Sequence, residues 1–231
     1  MDSKLESLIN IDDFTYGKYT FLFENLNNKI NDDKKDEYIN KSIECAIDTC
    51  NKYNSKSVYE LMDEYNLKVE YQLDEGEFRN LFGLFTYPNQ ITIFSTNIYR
   101  VYKKLNENGI EISEDKIKEV VLAHELFHYL ENKDSDKFYT KCEKITTFKL
   151  FGHEFKSRIT ALSEIAAMNF AKRFTNLEFS TYVFDYLLLE SIDKEASKSM
   201  YETLIELGGE NNETNNIWYC KTCRYFSFNC I

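Results

Sequence analysis

In the run Val120-Val-Leu-Ala-His124-Glu125-Leu-Phe-His128-Tyr-Leu130, two histidines stand four positions apart with a glutamate directly after the first. On a helix, positions i and i+4 share a face, so His124 and His128 can offer two imidazoles to one Zn²⁺. Glu125 is rotated about 100° from His124 and lies one turn from His128. Its carboxylate therefore stands beside the metal rather than on it, where a general base takes a proton from a water that the ion acidifies. With three His and 25 Glu among 231 residues, roughly 0.004 matches to His-Glu-x-x-His are expected by chance, so the pattern is informative.

A tetrahedral catalytic zinc needs a third protein ligand and an open fourth position. Four residues could supply that ligand. Glu164, in Ile159-Thr-Ala-Leu-Ser-Glu164-Ile-Ala-Ala-Met-Asn-Phe-Ala171, is flanked at helical spacing by Ala161, Ala167, Met168 and Ala171. Such small neighbours let two helices approach until a short carboxylate reaches a metal held by the other. Asp134 lies ten residues after His124, as in metzincin-like sites, but Glu131 stands where those sites use a Gly to turn the backbone. If the helix over 154–174 extends back to His153, that histidine sits about 16 Å along the axis from Glu164 and cannot bind the same ion. Glu143 has only nearness in sequence to recommend it. Because one His remains after the motif, a carboxylate is the expected third ligand.

The elements that must position these residues show in the periodicity. Tyr38, Ile39, Ser42, Ile43, Ala46 and Cys50 fall at helical spacings, and a short helix over Val58 to Tyr65 follows. Leu67, Val69, Tyr71 and Leu73 alternate as in a half-buried strand, and Leu81 to Tyr87 and Gln90 to Ser95 form a hairpin about Pro88-Asn89. The second hairpin strand either offers an exposed edge to an extended peptide or is internal to the sheet. Thr96 to Asn106 is helical with Gly109 as a cap, and Ser113 opens the motif helix with Glu114 and Asp115 in its first turn. Further helices are predicted over roughly Asp136 to Leu150, Glu154 to Phe174, Thr181 to Glu190 and Lys194 to Leu207, the last stopped by Gly208-Gly209. The first 35 residues read as an extension, and 209–231 as a polar linker containing ENNETNN followed by a Cys-rich tail.

Composition narrows the function classes. A net charge of −11 repels phosphate backbones and anionic membrane surfaces, so neither nucleic acid nor membrane is an expected partner. Aromatic residues make up 16% of the chain, the opposite of a disordered composition. MDSKLESLIN has neither a basic nor an apolar leader segment, and no stretch approaches a membrane span, which reads as a soluble cytoplasmic protein. Thiols stay reduced there. Cys220, Cys223 and Cys230 then offer three ligands of a candidate structural zinc, with Cys142 as a possible fourth, or pack as thiols; Cys45 and Cys50 read as core.

Taken in order, Glu60-Leu61 through Tyr65-Asn66-Leu67-Lys68-Val69-Glu70-Tyr71, the hairpin ending in Ile91-Thr-Ile-Phe94, AHELFHYLE and SEIAAMNFAKRF resemble the ImmA/IrrE family of zinc metallopeptidases over roughly residues 38 to 175. The resemblance implies an α+β, mainly helical zincin-like domain over 36–208. In it a small three-stranded antiparallel or mixed sheet backs the motif helix, and Glu164 is the third ligand. It implies a zinc-dependent cytoplasmic endopeptidase acting on a protein, for several relatives a DNA-binding repressor. Here that repressor would be a separate polypeptide, because no helix-turn-helix signature is evident. Phe127 stands where relatives have Gly, Ala166 where they have an acid, and Arg173-Phe174-Thr175 where they have Leu-Met-Pro. The alternative from another class is a non-catalytic zinc-containing regulatory module, which a fourth protein ligand would close.

Overall fold

The computed structural model describes residues 2–73 and 80–209. The motif helix begins where Ser113 accepts a hydrogen bond from the Lys116 amide at 3.1 Å, and it runs over Glu114–Lys133 (α6). Glu114 and Asp115 oppose the helix dipole at its first turn, and Lys118 pairs with Glu114 at 2.9 Å. From Ile117 to Leu130 most positions are buried and none is fully exposed, so α6 passes through the core and carries its histidines inward.

The Glu164 helix, Thr160–Phe174 (α8), packs against α6 and against Asp32–Tyr53 (α3). Ala161, Ala166, Ala167 and Ala171 are all buried, which allows the close approach expected from the small residues around Glu164. The start of α8 is capped from a distance. Buried Glu24 accepts from the Thr160 hydroxyl at 2.8 Å and from the Ala161 amide at 3.0 Å, placing a carboxylate on the positive end of the helix.

Strands Lys68–Gln72 (β1), Gly83–Thr86 (β2) and Gln90–Phe94 (β3) form a mixed sheet in the order β1-β3-β2, β1 parallel and β2 antiparallel to β3. β3 is therefore internal, with Ile91, Ile93 and Phe94 buried, and the outer strands among the described residues are β1 and β2. Of the alternating set on β1, Val69 is half-buried, but Tyr71 and Leu73 are 53% and 76% exposed. Helices Val58–Glu64 (α4) and Ser95–Glu107 (α5) follow the sequence reading, and Gly109 takes φ +78°, a left-handed cap that a Cβ would oppose.

Three regions depart from the sequence reading. Regular structure starts early: Ser3–Ile9 (α1) and Asp13–Leu22 (α2), each capped by an Asp, bury Leu5, Leu8, Tyr16 and Phe21 in the core. The predicted helices over 136–150 and 154–159 are instead a short helix, Tyr139–Cys142 (α7), and an antiparallel hairpin of Lys144–Leu150 (β4) and His153–Arg158 (β5). After α8 come Tyr182–Ile192 (α9) and Lys194–Gly209 (α10); α10 continues through Gly208 and Gly209 rather than stopping at them. The architecture is α+β and mostly helical, with small sheets of two and three strands. Among the described residues no helix is long and apolar enough to cross a membrane.

Candidate metal centre

α6 and α8 bring His124, His128 and Glu164 together, with all three donor groups within 4.8 Å of one another. The two Nε2 atoms are 3.1 Å apart, and each lies 3.5 Å from a different oxygen of Glu164. Donors about 2.1 Å from one ion in a tetrahedron are about 3.4 Å apart, and each imidazole stands near that distance from the other and from one oxygen of Glu164. Two imidazoles and one carboxylate are also the donor set that zinc favours. Burial would raise the Glu164 carboxyl, but the His128 and His124 rings hold it well below the usual range, so it is an anionic donor. The side chain of His124 is 18% exposed against 5% for His128, so the group opens to solvent on the His124 side.

Glu125 lies beside this group and is buried. The Phe85 amide of β2 faces its carboxyl and weakly favours the ionised form. Burial, reinforced by the charge of Glu164, raises the Glu125 pKa against the opposing effect of the two imidazoles, as suits a proton acceptor at neutral pH. β2 comes close because it has no side chain at Gly83. A Cβ there would lie 3.0 Å from Cγ and Oε1 of Glu125 and 3.0 Å from Val121 Cγ1.

A carboxylate that sequence reasoning treated only as a missing Gly supports the centre from behind. Glu131 is fully buried, with its Oε2 3.0 Å from Lys141 Nζ and accepting from the Ser163 hydroxyl at 2.6 Å. The Thr140 hydroxyl donates to its other oxygen. Ser163 Oγ is also 3.3 Å from His128 Nδ1, so the imidazole can donate from Nδ1 into a Ser163–Glu131 chain while Nε2 turns its lone pair toward the metal position. Burial would raise the Glu131 pKa, but His128, Lys141 and Ser163 hold it down to about 2.

The other candidates lie elsewhere. Asp134 ends α6 and pairs with Lys137 at 3.4 Å and Lys52 at 3.7 Å, while Glu143 accepts from the Tyr38 hydroxyl at 3.2 Å. His153 starts β5, so the distance argued from a continuous helix does not apply, and it is not in the His-His-Glu group. Cys45 and Cys50 are half-buried against the core, and Cys142 is exposed with Sγ donating to the Asp136 carbonyl at 3.3 Å. Cys220, Cys223 and Cys230 lie outside the described residues.

Glu125, His124 and Glu164 share a cleft of about 110 Å³ with residues 80–83, α8 and the start of α9. One water needs only about 10–15 Å³ on such a measure, so the cleft can take a water together with part of a larger molecule. Asp185 of α9 also lines it, and burial followed by the charge of Glu164 pushes that carboxyl up to about 8. The arrangement offers a three-donor metal position, a base beside it and an open approach, which are the parts needed for metal-assisted hydrolysis. Comparison with protein-family models, curated proteins and solved structures finds no match to this chain.

Proposed function

We propose that this chain is a zinc-dependent endopeptidase with a zincin-like fold of the ImmA/IrrE type. The observation that carries the reading is the His124–His128–Glu164 group, its donors within 4.8 Å of one another, with Glu125 beside it on an open cleft. A zinc ion held there supplies Lewis acidity, which acidifies water and polarises a carbonyl. Glu125 takes the proton of the attacking water as the new C–O bond forms and passes it to the amine nitrogen as the C–N bond breaks. β2 offers an outer strand beside Glu125, where an extended peptide can add by backbone hydrogen bonds and lay its carbonyl toward the donors. The substrate we propose is a cytoplasmic protein, with a separate DNA-binding repressor as the first candidate; the net charge of −11 favours a protein over nucleic acid.

The purified chain is expected to hold about one zinc ion, with chelation abolishing proteolysis and zinc restoring it. Absence of tightly bound metal at neutral pH, measured by atomic absorption, overturns the reading. Incubating the metal-loaded Glu125→Gln variant in host lysate identifies the substrate by what co-purifies. A non-catalytic zinc module would be closed by a fourth protein ligand, whereas the group has three members among the described residues.

Gly83→Ala tests the seating of the base. The added methyl displaces either Glu125 or the packed Val121, and a shift of about 1 Å in a reacting group can cost about 100-fold in rate. We expect cleavage to fall about 10- to 100-fold with zinc content unchanged, and stability to fall by about 1–3 kcal/mol from overpacking. Wild-type rates would show that β2 does not set the position of Glu125.

A further inference from the structure

We propose that Asp185 and the apolar walls around it form a subsite for a basic side chain of the substrate, a Lys or Arg flanking the scissile bond. This deepens the endopeptidase reading and rests on it for the word substrate. The cleft that holds His124, Glu125 and Glu164 is walled on its other sides by apolar groups, including Val120, Met168, Ala171 and Phe184. Asp185 interrupts that lining. It falls in the first turn of α9, half-buried between the buried Phe184 and Tyr186.

Among the described residues Asp185 has no hydrogen-bond or ion-pair partner, and after burial the group that acts on it is the Glu164 carboxylate, which disfavours its ionised form. Other polar groups nearby are engaged: Thr181 donates to the Met168 carbonyl and Tyr182 shares a hydrogen bond with Thr20 at 2.6 Å. Asp185 is half-buried, so its carboxyl reaches the open part of the cleft and is available to a molecule that enters there. A Lys or Arg side chain matches the place twice over, since its aliphatic stem suits the walls and its charged head draws the carboxyl into its ionised form and pairs with it. A neutral aliphatic side chain of the same length would fill the walls and gain no ion pair with the Asp185 carboxyl. Sites built around a buried polar partner discriminate strongly against ligands that lack the matching group.

Two measurements test this. In the first, the zinc-loaded chain cuts a chymotryptic peptide library and the cleavage sites are read by mass spectrometry. Lys and Arg are expected at one fixed position next to the cut in about 10-fold excess or more over their library frequency, and Asp185→Asn should bring them back to that frequency. The second needs no turnover. The Met168 methyl resonance is followed while n-butylammonium, the Lys side chain alone, or n-butanol is titrated into the zinc-loaded wild-type chain. The amine should shift the resonance at about 10-fold lower concentration or less than the alcohol. Cuts without basic enrichment, or alcohol acting at the same concentration as amine, overturn the subsite, and neither result depends on the variant folding. Loss of all cleavage with the amine preference intact would instead remove the endopeptidase reading and leave the basic subsite standing.

Discussion

Replacing Glu125 by Gln is expected to slow peptide cleavage by about 10²- to 10⁴-fold, the range contributed by a positioned general base, while zinc content stays unchanged. The substitution is isosteric. A Gln amide has the same size and its carbonyl can face the Phe85 amide as the carboxyl does, so the local packing and the His124–His128–Glu164 donors are preserved. What disappears is basicity in a group whose proton affinity burial has already raised. Peptide affinity should change little, because the lost interaction belongs to the transition state, so the effect should fall on kcat. Equal cleavage by wild type and variant would place the base elsewhere. Parallel loss of zinc and activity would make Glu125 a structural element of the centre.

Those parts of the fold that follow from strong local signals were legible in the sequence. α6 begins at Ser113, where a hydroxyl cap and two acids coincide, and the β2–β3 hairpin lies at the Pro88-Asn89 turn. Glu164 reached the metal group because its small neighbours permit close helix packing, and that packing pattern can be read along one helix. The β4–β5 hairpin was hidden for an identifiable reason. Its two-residue turn is Phe151-Gly152, both at positive φ, where Asn-Gly or Asp-Gly is the usual signal and Phe gives none. The β-branched run Ile145-Thr146-Thr147 was the available evidence for a strand, and it was outweighed by helical spacing on either side.

Residues that act through long-range contacts could not be read in this way. The capping of α8 by Glu24 joins positions 136 and 137 apart, and the Glu131–Ser163 link joins positions 32 apart. A weaker local sign existed for both missed carboxylates. Glu131 lies three residues beyond His128 on the buried side of α6, and Asp185 is the acid within the apolar run from Tyr182 to Leu189. A charged residue in a segment that must be buried needs a partner or a purpose. Glu131 has partners, and Asp185 has none among the described residues.

Glu131→Gln should separate those partners' two roles, structural charge balance and orientation of His128. The amide keeps the size of the side chain and can accept from Ser163, but it removes the charge opposite Lys141, whose side chain is 10% exposed. In the metal-free chain the ionised Glu131 is held down to about 2 against an ordinary 4.5, which corresponds to about 3 kcal/mol. Because the folded-state value is the lower one, this stability is fully present above about pH 4.5 and is lost as pH falls toward about 2. Denaturant unfolding should therefore show the variant weaker than wild type at pH 7, with the gap closing across that acid window. Zinc affinity, measured by chelator competition, is expected to fall about 10- to 100-fold, since an outer carboxylate that orients a ligating imidazole contributes on that scale. Adding Lys141→Met to Glu131→Gln removes the stranded ammonium. That double variant should regain much of the stability at pH 7 while the zinc deficit persists, because the deficit arises through Ser163 and His128 rather than through Lys141. Recovery of zinc affinity along with stability would instead show that Glu131 serves the charge of Lys141 and leaves the imidazole to be held by packing alone.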